Sequence, residues 1–168
     1  MRFIGNDPNI LDAFYTATAD GSIAAGKPVI VTAPTSSVGS AVNFESSNLS
    51  ADCGVASVYD SSNNRIVIAY GAGGGENGTA VVGTVSGSSI TFGTPVVFES
   101  ASGGVLGSTF DSNANKVVIA FRDGGDSDKG KGIVGTVSGT SISFGTATEF
   151  QDNARAGYGG AVFDSSNN

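Results

Sequence analysis

Apolar runs in this chain are short and broken by Gly, Asn, Ser and Asp, a pattern that reads as β-strands joined by turns. The stretch from Leu106 to Phe144 shows it most fully. Leu106–Phe110 is an extended run ending at Asp111, and Ser112–Asn115 is a polar turn of residues that tolerate left-handed backbone. Lys116–Arg122 is apolar on both pleat faces, which predicts a strand covered on both sides. A Gly/Asp loop, Asp123–Gly130, leads to Ile133–Val137. Ser138-Gly139-Thr140 then turns the chain into Ile142–Phe144, whose alternation predicts a half-exposed strand.

The same order occurs one copy earlier, as Val55–Tyr59, Arg65–Tyr70, Ala80–Val85 and Ile90–Phe98. The copies share words as well as pattern. Val82-Gly83-Thr84-Val85-Ser86-Gly87 returns as Val134-Gly135-Thr136-Val137-Ser138-Gly139, 52 residues on. Tyr59-Asp60-Ser61-Ser62-Asn63-Asn64-Arg65 becomes Phe110-Asp111-Ser112-Asn113-Ala114-Asn115-Lys116, and Phe163-Asp164-Ser165-Ser166-Asn167-Asn168 opens a third copy. A fixed period of this length marks a stacked or radial array of small units. Four antiparallel strands in about 50 residues is the content of one propeller blade. The expected fold is therefore all-β, four-stranded antiparallel meander repeats in a propeller-like arrangement, with a β-sandwich of hairpins as the alternative.

The array divides the chain as follows. Residues 1–26 form a distinct leader or assembly segment. Residues 27–48 are a degenerate half-repeat, in which Val38–Ser46 matches Phe92–Ser100 and Pro28–Thr32 stands for the third strand. Residues 49–101 are repeat 1, residues 102–153 repeat 2, and residues 154–168 the start of a truncated repeat 3. The chain stops inside a hairpin turn, so the last strand lacks its apolar partner. An unpaired strand invites pairing with another chain. A neighbouring subunit, or the remainder of a longer array, is expected to complete it.

Composition narrows the chemistry. Of 168 residues only 14% are charged, against roughly 25% in an average soluble domain, and 26 are Gly. The net charge is −7 with Lys and Arg scattered, so no basic stripe exists to neutralise phosphates, and nucleic-acid binding is not expected. No stretch approaches the ~18 apolar residues of a membrane span, and the first residues lack a signal-peptide core. Synthesis in a cytoplasm follows, with no membrane insertion.

The motif Val-Gly-Thr-Val-Ser-Gly-x-Ser-Ile-x-Phe-Gly-Thr, at Val82–Thr94 and Val134–Thr146, accompanies the aromatic-Asp-Ser turn and its following Lys/Arg-Ile/Val-Val-Ile-Ala run. This combination resembles the tandem repeats of large structural proteins of marine tailed bacteriophages. The segment Thr16–Val31 is similar to the N-termini of phage tail-fibre and decoration-like proteins. The resemblance covers about Thr16 to Asn168. It implies a virion component (tail fibre, appendage or capsid decoration) whose partners are other virion proteins, and it supplies no catalytic residue. Members of that group usually carry more repeats than the two complete copies here.

The residues themselves offer little chemistry. The chain has no His, which removes imidazole metal sites and Ser-His or Cys-His catalysis. Cys53 is the single thiol and reads as a small core filler. No metal site is assigned. The nearest approach is Asp123, Asp126 and Asp128, because hard cations take several oxygens from a flexible loop. That loop departs from the Asp-x-Asp-x-Asp-Gly order, and Lys129 and Lys131 intrude, so it reads first as a solvated connection. Asp60, Asp111 and Asp164 recur at one turn per copy and read as Asx-turn acceptors. Tyr59, Tyr70, Phe110, Phe121, Tyr158 and Phe163 hold equivalent places and are expected mostly in a core between units. The chain is thus read as a non-enzyme without cofactor: a homo-oligomeric structural part of a virion. The rival is a carbohydrate-binding or receptor-binding adhesin module, whose partner would be a host surface glycan.

Overall fold

The computed structural model describes residues 38–49, 53–74, 76–152 and 159–167. The chain divides into two compact units, Met1–Ser37 and Val38–Asn168. The leader at 1–26, the Pro28–Thr32 run and Tyr158 lie outside the described residues.

Among the described residues the structure is all-β and antiparallel, without a helix, and its nine strands form one sheet curled like half a barrel. The first copy contributes β1 (Val55–Asp60), β2 (Arg65–Ala72), β3 (Asn77–Ser86) and β4 (Ser89–Phe92). A long β5 (Val96–Asp111) follows, then β6 (Lys116–Asp123), β7 (Lys129–Ser138), β8 (Ser141–Phe144) and β9 (Thr148–Gln151). The order is β1-β2-β3-β5-β6-β7-β8, with β4 also on β3 and β9 also on β7.

Equivalent segments pair in equivalent registers. Thr84, Val85 and Ser86 face Thr91, Ile90 and Ser89, while Thr136, Val137 and Ser138 face Ser143, Ile142 and Ser141. The two-residue turns between these strands each begin on a glycine with positive φ, Gly87 at 58° and Gly139 at 61°, a conformation that costs a glycine little.

Two boundaries differ from the sequence reading. The fourth strand, expected to run from Ile90 to Phe98, is broken at Gly93–Pro95. There the Gly93 amide still donates to the Val82 carbonyl at 2.9 Å, but Pro95 has no N–H to continue the ladder. The Gly145 amide makes the matching bond to Val134 at 3.0 Å. The junction between copies, expected at 101/102, is also no junction in the backbone. Within β5, Val96–Ser102 pairs with β3 and Gly103–Asp111 pairs with β6. Register shifts on both sides, with Gly103 donating to the Glu76 carbonyl at 2.9 Å, let one strand pass from one partner to the next.

One buried cluster spans both copies. Val67, Ala69, Ala80 and Val82 from β2 and β3 join Val105, Val117, Ile119, Phe121, Ile133, Val137 and Ile142 from β5 to β8. On β6 burial alternates: Val117, Ile119 and Phe121 are buried, while Val118 and Ala120 are only half-buried. The expected cover on both faces is therefore present on one.

Candidate functional site

A set of specific contacts joins the first copy to the second. Phe98 at the end of the first copy sets its ring 5.2 Å from Phe121 and 5.4 Å from Phe144 of the second, the first of these edge-on. Such aromatic pairs add to what area burial supplies. The same arrangement occurs one period earlier. Phe44, the equivalent of Phe98, sits 5.1 Å from Tyr70 and 6.0 Å from Phe92, the equivalents of Phe121 and Phe144.

The backbone repeats the interlock. A Cβ built on Gly93 would overlap the carbonyl of Thr140, in the β7–β8 turn of the second copy. A Cβ built on Gly39 would overlap the carbonyl of Ser88, in the equivalent β3–β4 turn of the first. Glycine at these two places lets a turn of the following unit seat directly on the backbone. Around this socket Arg65 Nε donates to the Gly139 carbonyl at 3.0 Å, and the Ser62 hydroxyl donates to Asn115. The Val105 amide donates to the Cys53 carbonyl at 2.6 Å, joining β5 to the chain two residues before β1. Cys53 itself is buried, its side chain against Gly71.

The recurrent turn aspartates act on their own turns. Asp60, 1% exposed, accepts from the Ser62 and Asn63 amides at 3.0 Å each and from the Asn63 side chain at 2.8 Å. Asp111 accepts from the Asn113 and Ala114 amides at 2.9 and 2.8 Å. Asp164 accepts from the Ser166 amide at 2.9 Å and the Asn167 side chain at 2.6 Å, and these bonds, the side chain's first, hold its carboxyl below the usual range. Asn64 and Asn115 close the first two turns with φ of 53° and 57°.

In the acidic loop the structure gives each carboxylate a cation of the protein's own. Lys131 Nζ donates to Asp123 Oδ2 at 2.6 Å and lies 2.9 Å from Asp126. Lys129 contacts Asp126, Glu149 and Asp152, and Arg122 lies 3.6 Å from Asp128. The bond to Asp123, and then that to Asp126, raises Lys131 well above the ordinary lysine range, while Lys131 in turn lowers Asp126. Asp123, Asp126 and Asp128 are not gathered as a ligand set, and no group of three potential metal ligands occurs among the described residues.

Among the described residues Tyr70 is the perturbed phenol. It is 0% exposed, and burial, followed by the nearby Glu45 carboxylate, pushes it up to about 12. Its hydroxyl nevertheless makes no hydrogen bond of ordinary geometry. Glu45 is turned instead toward the Ser47 and Ser46 amides, at 2.8 and 2.7 Å. Of the other repeat-equivalent aromatics, Phe121 is buried, Phe110 and Phe163 are half-buried and Tyr59 is exposed. A shallow depression of ≈ 310 Å³ lies between Ser47–Leu49 and the β2–β3 turn, lined in part by Glu76.

Sequence reasoning found the turn aspartates but missed the glycine sockets and the arginine that crosses between copies. The available signal was recurrence: Gly39, Gly93 and Gly145 fall one per copy, as do the Ser-Gly-Ser/Thr turns. No protein-family model, no curated protein and no solved structure matches this chain.

Proposed function

We propose that the chain is a non-enzymatic structural protein whose mechanism is assembly, each unit being a four-stranded meander set against the next in the manner of propeller blades. The observation that carries this reading is the doubled interlock. An aromatic ring reaches into the following unit, and that unit's turn seats on a glycine, at Phe44/Gly39 and again at Phe98/Gly93. A contact that recurs at equivalent positions is what a repeating array requires, since each unit then buries its face against its neighbour.

The setting of that assembly, a tailed phage particle in which the protein serves as fibre, appendage or decoration and associates with its own kind and with other virion proteins, is supported by the repeat motif's resemblance alone. Support for a structural role comes from where the polar groups point. The turn aspartates are engaged by their own backbone, and the acidic loop by lysines and an arginine. The deciding experiment is mass spectrometry of purified particles with copy-number quantification. A fixed stoichiometry per virion is expected, and a chain present in infected cells but absent from particles would overturn the placement.

A further inference from the structure

Equivalent positions in the two copies differ sharply in exposure. Val67 and Val82 pair across β2 and β3, as do Ala69 and Ala80, and all four are at most 1% exposed. Their counterparts on β6 and β7 are Val118 paired with Val134, and Ala120 paired with Gly132. Val134 is 46% exposed, and Val118 and Ala120 are half-buried. Directly opposed residues share one face of a sheet. The second copy therefore turns outward the same face that the first copy buries.

The rest of the interlock is present on that face, without its counterpart. Phe150 rests over Gly130 as Phe98 rests over Gly78, but Phe98 is half-buried against the next unit's rings, while Phe150 is 60% exposed. Gly145 is the third member of the glycine series. A Cβ there would meet only the Val134 carbonyl oxygen, at 3.9 Å. Lys116 stands where Arg65 reaches across to Gly139, and its ammonium rests on Thr136 of its own unit. A segment that could open a further unit, residues 159–164, lies beside β5 without forming a named strand. Residues 160–161 lie against Gly107 of β5, much as Val105 of β5 lies against Gly54 beside β1. The third Asp turn is formed as well.

We infer that the outward face of β6 and β7, with Phe150 and the open socket at Gly145, is a docking surface for one further unit of the same repeat. That unit pairs a strand like Lys116–Asp123 with residues 159–164. It also seats a Ser-Gly-Ser/Thr turn on Gly145 and presents two aromatic rings to Phe150. Continuity with the junction inside the chain identifies this occupant, since each feature left open is one half of a contact made there. The inference rests on reading the chain as an array of like units.

The test extends the full chain with a duplicate of residues 116–152 placed directly after Asn168, and carries Val134→Cys as a reporter thiol. Cys53, 1% exposed, is the silent internal reference. Docking is expected to slow labelling of the introduced thiol by about tenfold or more relative to the unextended chain, because a docked face reacts only through opening. Adding Gly145→Val should restore the fast rate, since it fills the socket without touching the unextended fold. Unchanged labelling overturns the inference, whether circular dichroism shows the added strands folded or shows them unstructured. So does an unextended chain that sediments as a dimer, with the reporter already protected until Phe150→Lys separates it. That result assigns the face to a second whole molecule. The array reading fails separately, if Gly93→Val proves harmless.

Discussion

Gly93→Val and Gly145→Val are one substitution made at equivalent positions, and the junction geometry makes them opposite in effect. At Gly93 the new Cβ would overlap the Thr140 carbonyl oxygen and press on its carbonyl carbon, both backbone atoms of a two-residue turn. A backbone obstacle cannot swing aside as a side chain does, so the turn, or the β7–β8 hairpin carrying it, must withdraw. That withdrawal strains or breaks the Arg65–Gly139 bond and loosens the Phe98–Phe144 contact. Overpacking of this kind costs about 2–3 kcal/mol. At Gly145 the nearest atom is the Val134 oxygen at 3.9 Å, an ordinary contact. A substitution in open space stays within about 0.5 kcal/mol. Gly39→Val should fall between, because residues 38–49 form no named strand and can retreat more readily than a hairpin. Urea unfolding followed by circular dichroism measures the three variants together, with the stability change taken from the shift in midpoint at constant slope. If Gly93→Val and Gly145→Val unfold at the same midpoint, the turn does not seat on the glycine and the interlock is not what joins the units.

The aromatic half of the junction makes a matching pair. Phe98→Ala should cost about 3 kcal/mol in the same unfolding assay, and Phe150→Ala less than about 0.5 kcal/mol; equal losses would argue against a ring that works across the junction. Raising the pH should destabilise the fold through Tyr70. Its folded-state value of about 12 lies above the ordinary 10.0, so the stability it contributes is whole below pH 10.0 and is lost as pH climbs toward about 12. Tyr70→Phe should flatten thermal melting temperatures across that interval, and an unchanged slope would mean that another group titrates. Asp60→Ala should cost about 1 kcal/mol by removing the buried acceptor of two amides, in a turn whose other residues are exposed and can be reached by water. Asp60→Asn keeps an acceptor oxygen and should recover most of that in a chemical melt; no recovery would mean that charge rather than acceptance matters.

How far the sequence carried depended on whether a feature was local. Strand positions followed from alternation, and Asp60, Asp111 and Asp164 were readable as turn acceptors because their partners lie two and three residues on. The unbroken β5 was not readable. Its passage from β3 to β6 depends on register shifts that appear in a sequence only as glycines, and glycine has many uses. The split fourth strand had a visible cause in Pro95. The acidic loop showed its three aspartates to a reader of sequence. Yet its answer also lay in the sequence, in Lys129 and Lys131, which the β6–β7 register returns to Asp123 and Asp126. The sockets were hidden for another reason. Gly39, Gly93 and Gly145 look alike along the chain, and only the neighbour above each one distinguishes a filled socket from an open one.

That dependence on a neighbour shows in burial as well. Every unit here has two unlike faces. One presents the Val117–Phe121 side with Val137 and Ile142; the other presents the side of Val67 and Val82, continued in the second copy by Val118 and Val134. Several residues with the same role differ in burial between the two copies. Val137 is 7% exposed and its counterpart Val85 is 55% exposed; Val82 is 0% and Val134 46%. A closed globular core buries equivalent residues alike, whereas an open series with a front and a back leaves one face of each kind at its ends. Unlike faces that fit each other generate continuing contact, and stability then accrues by nearest neighbours. The burial pattern is therefore the feature by which the two copies differ most.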